Sequence, residues 1–388
     1  MISQQLDLPV ENFQHVYIHV PFCRRRCSYC DFSIAVRQSV PVDKYVESVV
    51  AEVRSRAVRI APGQLRTLYL GGGTPSLLGS TGVGQLLQRF GEAVGAGDFS
   101  TAMWKEFELT MEANPEDVTA ESVRGWRLAG VNRVSLGVQS FDTRVLQWMH
   151  RGHDATGTAA AVRVLRDGGI ADVSIDLIAG VPEMLERDWD RDLDLALALD
   201  PTHLSVYGLT VEPHTPLGRW AARGEVREAP EDRHATEFLR AHDRLTGAGY
   251  EHYEVSNYAR PTFRARHNSA YWTRVPYLGL GPSAHGFDGA VRRWNLAPYA
   301  AWSEAAGRDP MDGSERIGSA ERDAEEVYLG LRTVDGLDIP QKDIKTVTPW
   351  MDQGWAVLEP AGRLRLTAEG WLRLDALASA LTTARSRS

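Results

Sequence analysis

The chain of 388 residues has only three cysteines. A small secreted domain held by disulfides needs a larger, even set, so that class is excluded. Long apolar runs are also missing: none approaches the roughly eighteen residues that a membrane helix needs. The opening Met1-Ile-Ser-Gln-Gln-Leu-Asp-Leu-Pro9 has neither the basic nor the apolar region of a secretion leader, which points to a reducing cytoplasm. Positive charge is in deficit. Lys and Arg number 43 against 51 Asp and Glu, a net charge of -8, so nucleic-acid phosphate is not an expected partner. There is no internal repeat and no low-complexity tract. The one glycine run lacks the following G-K-[ST] of a phosphate-binding loop, and no C-x-x-C-H offers covalent haem attachment.

What remains is a globular composition, 43% hydrophobic and 24% charged, in a chain long enough for two or three domains. The three cysteines, Cys23, Cys27 and Cys30, fall within eight residues. Thiolates on one short loop can grip three irons of a cubane [4Fe–4S] cluster, which takes one thiolate per iron and here leaves the fourth open. The alternative is a structural zinc with His15 or His19 as fourth ligand, although zinc usually draws on two separated pairs. Arg24, Arg25 and Arg26 lie between ligands. They either offset an anionic cluster or are solvated surface charges.

Up to about residue 210 the chain repeats one theme: an apolar β-rich run, a turn, then a helical pattern. The runs are His15–Val20, Leu65–Leu70, Phe107–Glu112, Arg133–Val138, Val173–Ile178 and His203–Leu209. Helical patterns fall at 42–59, 81–94, 120–129, 155–166 and 187–199. Such alternation predicts parallel βαβ units, either an open doubly wound sheet or a curled partial barrel. The runs look Val/Ile/Leu-rich rather than cleanly alternating, as in strands buried on both faces. Polar and Gly-rich residues gather at the strand C-terminal ends, where α/β folds build sites. These include Cys23, Gly71–Ser76, Glu112–Pro115, Gln139-Ser140, Asp176 and Thr210. Beyond Thr210 the pattern changes. A charged stretch, 219–230, reads as a linker, 232–246 as a helix and Tyr250–Val255 as a strand. An aromatic block follows over 267–287, then helices with a hairpin at 357–367. The expected organisation is α/β: a partial (β/α)6 barrel over 1–215, an α+β extension over 216–315, and a small winged-helix-like module over 316–388.

In the aromatic block, His267-Asn268-Ser-Ala-Tyr271-Trp272 combines an imidazole, a good axial haem ligand, with rings that can pack on a porphyrin. The alternative is an interdomain packing cluster around a satisfied core histidine.

The C-x3-C-x2-C loop after the first strand, with Tyr29 before its last cysteine, resembles the signature of the radical S-adenosylmethionine (SAM) superfamily, whose members have a partial (β/α)6 barrel. The resemblance implies that SAM chelates the open iron. It further implies SAM contacts from Tyr17, Tyr29, Gly72, Gly73, Thr74, Glu112, Gln139, Arg151, Asp176 and Thr210. Three stretches together resemble the HemW family of haem chaperones, long labelled oxygen-independent coproporphyrinogen III oxidase-like. They are Glu254-Val-Ser-Asn257-Tyr-Ala-Arg-Pro261, the His267 block, and Tyr277-Leu-Gly-Leu-Gly-Pro-Ser-Ala-His285-Gly. The true oxidase carries a fourth cysteine two residues beyond the third, where this chain has Phe32, and a longer segment before the cluster. Both departures argue against coproporphyrinogen oxidation. The resemblance therefore implies haem as cargo, with His267, Asn268, Tyr271 and Trp272 as its contacts. It also implies acceptor haemoproteins such as respiratory ones at the membrane, an electron donor and a homodimer. The expected location is cytoplasmic, peripheral to the membrane during transfer.

Overall fold

The computed structural model describes residues 13–99 and 106–387. The opening residues read above for a leader lie outside that range. Six parallel strands form the centre: β1 (His15–Val20), β2 (Thr67–Gly72), β3 (Glu108–Ala113), β4 (Arg133–Gln139), β5 (Asp172–Ala179) and β6 (His203–Gly208). They lie side by side in chain order. Sequential order is that of a curled barrel. A doubly wound sheet would reverse order partway, so the open-sheet alternative falls.

The strands do alternate. Val16, Ile18, Val20, Leu68, Leu70, Leu109 and Met111 point outward and are buried under the helices. His15, Tyr17, His19, Thr67, Tyr69, Thr110, Glu112, Ser135 and Asp176 occupy the alternate positions and point inward. The expectation of strands apolar on both faces is thus corrected: the interior of this barrel is polar.

The outer layer is α1 (Val42–Ser55), α2 (Gly79–Val94), α3 (Ala120–Leu128), α4 (Thr143–Trp148), α5 (Ala155–Asp167) and α6 (Trp189–Ala198). Side-chain oxygens of Thr119, Asp142, Asp154 and Asp188 cap four of them by accepting from first-turn amides. Helix α1 buries Tyr45, Val46, Val49 and Val53, each stabilising by about 1.5–3 kcal/mol relative to exposure.

Residues 216–315 extend this sheet at both edges. After α7 (Pro216–Ala222) and α8 (Glu231–Gly247) come β7 (Glu251–Glu254) and β8 (Asn257–Ala259); β8 pairs antiparallel with β6, and β7 pairs antiparallel with β8 as the outer edge. Then α9 (Arg266–Trp272) passes beneath the barrel. β9 (Tyr277–Leu280) joins β1 in parallel, followed by β10 (His285–Phe287), β11 (Val291–Asn295) and β12 (Met311–Arg316). The start of the supposed linker is helical, because Thr215 caps α7 and Pro216 opens its first turn. A buried carboxylate locks the β9–β12 edge in place. Glu52 of α1 accepts from Gly281 N (2.9 Å), Asn295 Nδ2 (2.7 Å), Trp302 Nε1 (2.9 Å) and Arg56 (3.1 Å).

The C-terminal residues have a core of their own around Val327, Leu331, Val347, Trp350, Leu364 and Leu381. It is built by α11 (Ser319–Arg332), α12 (Ile344–Asp352), α13 (Ala368–Trp371) and α14 (Leu374–Ser386), with a three-stranded antiparallel sheet, whereas α10 (Tyr299–Ala305) packs on the barrel core through Trp302. It docks on the β7 edge through Arg332, 2.8 Å from the buried Glu254 carboxylate.

Candidate functional site

The three thiols sit on a loop held from every side. It leaves β1 at Val20. Gly73 N and Thr74 N donate to Val20 O and Phe22 O, both at 2.8 Å. Ser28 O accepts from Leu217 N (2.8 Å), and Arg37 N donates to Cys23 O (2.9 Å). A buried histidine closes the loop: His19 Nε2 donates to Ser33 O (2.9 Å) while Nδ1 accepts from Tyr17 OH (3.1 Å). Burial holds the His19 pKa below its ordinary value, so the ring is neutral and its tautomer is set by these two partners.

Two glycines of the β2 loop are sterically required. A Cβ on Gly73 would meet backbone atoms of Val20, Pro21 and Phe22 at 2.8 Å. Gly72 has φ +107, and a Cβ there would lie 2.3 Å from the His19 ring.

The loop lines the mouth of a cavity of about 430 Å³ at the C-terminal end of the strands, a volume in the range of small-molecule sites. Twelve sequence-predicted residues line it together: Cys23, Cys27, Tyr29, Cys30, Gly72, Gly73, Thr74, Glu112, Gln139, Arg151, Asp176 and Thr210. Tyr17 does not. It sits one layer deeper, its ring stacked on Tyr69 at 6.0 Å. Tyr69, Ser135, Tyr207 and Glu212 also line the cavity and escaped the sequence reading, and Asn114, read only as part of the polar stretch ending the third strand, joins them. For Tyr69, Ser135 and Tyr207 the available signal was inward register at alternate strand positions.

Polar contacts knit the walls. Glu112 accepts from Tyr69 OH and from Gly72 N, both at 2.9 Å. Burial pushes its carboxyl up to about 7 against those two hydrogen bonds, and the neighbouring Asp176 adds to the rise. Asp176, also raised by burial, accepts from Ser135 Oγ at 3.0 Å. Gln139 has φ +70 beside a register shift in β4, which turns its side chain into the mouth. Arg151 donates to Asn114 Oδ1 (2.6 Å) and to Gly137 O, and its Nη1 lies 3.6 Å from Cys27 Sγ. Thr74 Oγ1 is 3.4 Å from Cys23 Sγ. Burial pushes the Cys23 thiol up to about 11 and the Cys30 thiol up to about 12, so metal binding here would displace protons.

The donor set suits a cubane better than zinc. Both histidines proposed to complete a zinc site are engaged elsewhere, His19 as above and His15 Nδ1 with Thr67 Oγ1 at 2.9 Å. Among the described residues no three His, Cys, Asp or Glu side chains converge on a single-ion site. A cluster spreads its thiolates over separate corners and needs no such convergence.

The His267 block lies at the opposite end. Helix α9 plugs the barrel base, its first amides donating to the Glu108 carboxylate (Arg266 N 2.8 Å, His267 N 3.0 Å). His267 is 1% exposed, with Nδ1 bonded to Thr67 Oγ1 (2.7 Å) and Nε2 to Tyr271 OH (2.8 Å). Burial lowers its pKa to about 3. Strands rise about 3.3 Å per residue, so Thr67 and its partner lie about 16 Å from Gly72. In this structure both ring nitrogens of His267 are committed inside the barrel. Asn268 is half-buried on α9. Tyr271 and Trp272 reach outward and line a slot of about 470 Å³ with Arg274, Tyr277, Phe287, Arg292, Glu325, Tyr328 and Leu329.

Residues 17–196 match the radical SAM superfamily. Curated relatives named heme chaperone HemW share 36% identity over 87% of this chain and 85% of theirs (Synechocystis sp.), and 35% over 94% of each (Mycobacterium tuberculosis). The relative of that name from Escherichia coli shares 37% over 70% of this chain and 69% of its own. Among solved structures, the radical SAM enzyme coproporphyrinogen III oxidase (HemN) from Escherichia coli superposes with a TM-score of 0.78, covering 96% of this chain and 91% of that one at 20% identity. That likeness speaks to the fold. The chain belongs to the HemW family of the radical SAM superfamily.

Proposed function

We propose that this chain holds a [4Fe–4S] cluster on Cys23, Cys27 and Cys30 and SAM in the adjoining cavity, and that it carries haem to acceptor haemoproteins. The observation that carries the reading is the extent of likeness to relatives named heme chaperone, over 87% and 94% of the chain in the Synechocystis and Mycobacterium tuberculosis relatives. When bound, a cluster of this kind supplies one electron to the sulfonium of SAM. The chain's own residues act by position. Glu112 and Asp176 offer carboxylates to an ammonium group. Gly72 and Gly73 allow close backbone approach, while Tyr29, Gln139 and Thr210 line the remaining wall. Thr74 and Arg151 flank two of the thiols, and both lower the Cys23 pKa against the larger effect of burial. Tyr17 supports Tyr69 from the layer below.

For haem, the committed nitrogens of His267 shift the reading to the slot. There Tyr271, Trp272, Tyr277, Phe287 and Tyr328 supply apolar ring faces, and Arg274 and Arg292 supply partners for propionates. His267 acts as the strut that holds Tyr271. Among the described residues no helix is long and apolar enough to cross a membrane, so unloading to a membrane-bound respiratory acceptor would be a peripheral visit. A homodimer belongs to the same reading and is checked by light scattering.

The test is haem titration into cluster-loaded protein, followed by transfer to an apo-haemoprotein. Saturable uptake and transfer are expected. Conversion of coproporphyrinogen III to protoporphyrinogen IX by the reduced, SAM-loaded protein would instead make it an oxidase.

A further inference from the structure

Among the described residues, one buried hydroxyl of the thiol loop has no hydrogen-bond partner. It belongs to Ser28, which follows Cys27 directly and has no solvent exposure. A hydroxyl buried without a partner is destabilising, and protein interiors rarely keep one. The backbone of Ser28 is fixed on both sides: its N donates to Met149 O (3.3 Å), and its O accepts from Leu217 N (2.8 Å). Those two neighbours belong to an apolar cluster with Val145, Val181 and Leu209, whose side chains offer no strong acceptor. The missing acceptor therefore belongs to what the loop holds.

Two other side chains already bring donors to the thiols. Thr74 Oγ1 lies 3.4 Å from Cys23 Sγ, and Arg151 Nη1 lies 3.6 Å from Cys27 Sγ. Arg151 keeps its charge, and Asn114 Oδ1 (2.6 Å) and Gly137 O hold it in place. Hydrogen bonds to sulfur are one of the levers that set the reduction potential of an iron–sulfur cluster. Reduction adds negative charge, and a hydrogen bond to a more charged acceptor is stronger, so each donor favours the reduced state.

We propose that the Ser28 hydroxyl donates to a sulfur at the cluster corner held by Cys27 and, beside Thr74 and Arg151, raises the reduction potential. This rests on the reading that the three cysteines hold a [4Fe–4S] cluster. The step is the gain of one electron by the cluster from a soluble low-potential reductant. No covalent bond forms or breaks, and the hydroxyl keeps its proton. A higher potential makes the cluster easier to charge and its electron a weaker reductant toward the sulfonium of SAM.

The test uses the full chain, reconstituted without SAM, with iron and sulfide measured first. The midpoint is read by electron paramagnetic resonance during titration with dithionite and viologen mediators. Ser28→Thr and Ser28→Val are compared, since the two are nearly isosteric and only the first keeps a hydroxyl. Ser28→Ala is the third variant. The expected result is a reduced-to-oxidised ratio about tenfold lower at a given potential in Ser28→Val and Ser28→Ala, a midpoint about 59 mV more negative for this one-electron step. Ser28→Thr should stay near wild type, with iron content equal in all. A Val variant that titrates with the Thr variant overturns the proposal. So does a fully loaded Ser28→Ala at the wild-type midpoint, which would leave the hydroxyl to a buried water. Iron loss in both hydroxyl-free variants would assign Ser28 to the folding of the loop and also overturn it. A wild-type chain without iron and sulfide after reconstitution overturns the cluster reading, and this proposal with it.

Discussion

Gly72→Ala tests how tightly the glycine loop and the thiol loop are joined. The residue has φ +107, and the added Cβ would lie 2.3 Å from the His19 ring. Backbone strain at such a φ costs about 1–3 kcal/mol. His19 must also move, and its hydrogen bonds to Tyr17 OH and Ser33 O contribute about 1 kcal/mol each. The expected loss is about 3–5 kcal/mol, read as a shift of the urea unfolding midpoint at constant slope. Gly84→Ala is the control. It lies within α2 with nothing inside 4 Å of an added Cβ, so it should be neutral or stabilise by up to about 1 kcal/mol. In the Gly72→Ala background, His19→Ala should cost less than it does in the wild type, because there the truncation also removes the clash. A Gly72→Ala protein within about 1 kcal/mol of wild type, or strictly additive losses in the double variant, would refute this account.

Other consequences follow from the same geometry. His267→Ala should destabilise by about 2–4 kcal/mol, by opening a cavity and stranding Tyr271 OH, while leaving the absorption spectrum of bound haem unchanged; Trp272→Ala should weaken haem uptake with a smaller stability loss, and a changed spectrum in the His267 variant would restore it as a ligand. Glu112 has a folded pKa raised to about 7 by burial, above its unfolded value near 4.5. The sign is therefore a stability highest below about pH 4.5 that declines as pH rises through about 7, by up to about 3 kcal/mol. Glu112→Gln should flatten that decline in urea unfolding measured at successive pH values. Arg332→Ala strips the partner from a carboxylate that has no exposure, so it should cost about 3–5 kcal/mol. Faster hydrogen exchange concentrated at β7 and α11 would locate the loss at that contact.

Much of the barrel was readable because its signals are local. Strand positions, helical patterns and the gathering of Cys23, Glu112, Gln139 and Asp176 at strand ends depend on nearest neighbours and on period. The inward register was harder to see. Thr67-Leu68-Tyr69-Leu70 reads as a mostly apolar run until the fold shows that Tyr69 faces a cavity and the leucines face helices. Tyr17 was expected among the SAM contacts, and its position on β1 puts it one layer below the cavity. The surroundings of His267 were hidden for a different reason. Its partners Thr67 and Glu108 begin strands roughly 200 and 160 residues earlier in the chain, and local chemistry carries no information about contacts of that range.

The sequence by itself determined which chemistry the chain can hold: three thiols on one loop, glycines beside them, acids at strand ends, and no fourth cysteine at Phe32. Those are properties of side chains and spacing, and folding does not alter them. The tertiary structure decided which groups are free to act. It joined twelve of the predicted residues around one cavity and turned Tyr17 and His267 into supports. It also left the arginines of the thiol loop facing solvent beside Phe32. That division follows from burial and hydrogen-bond commitment, which are settled only when distant strands pack.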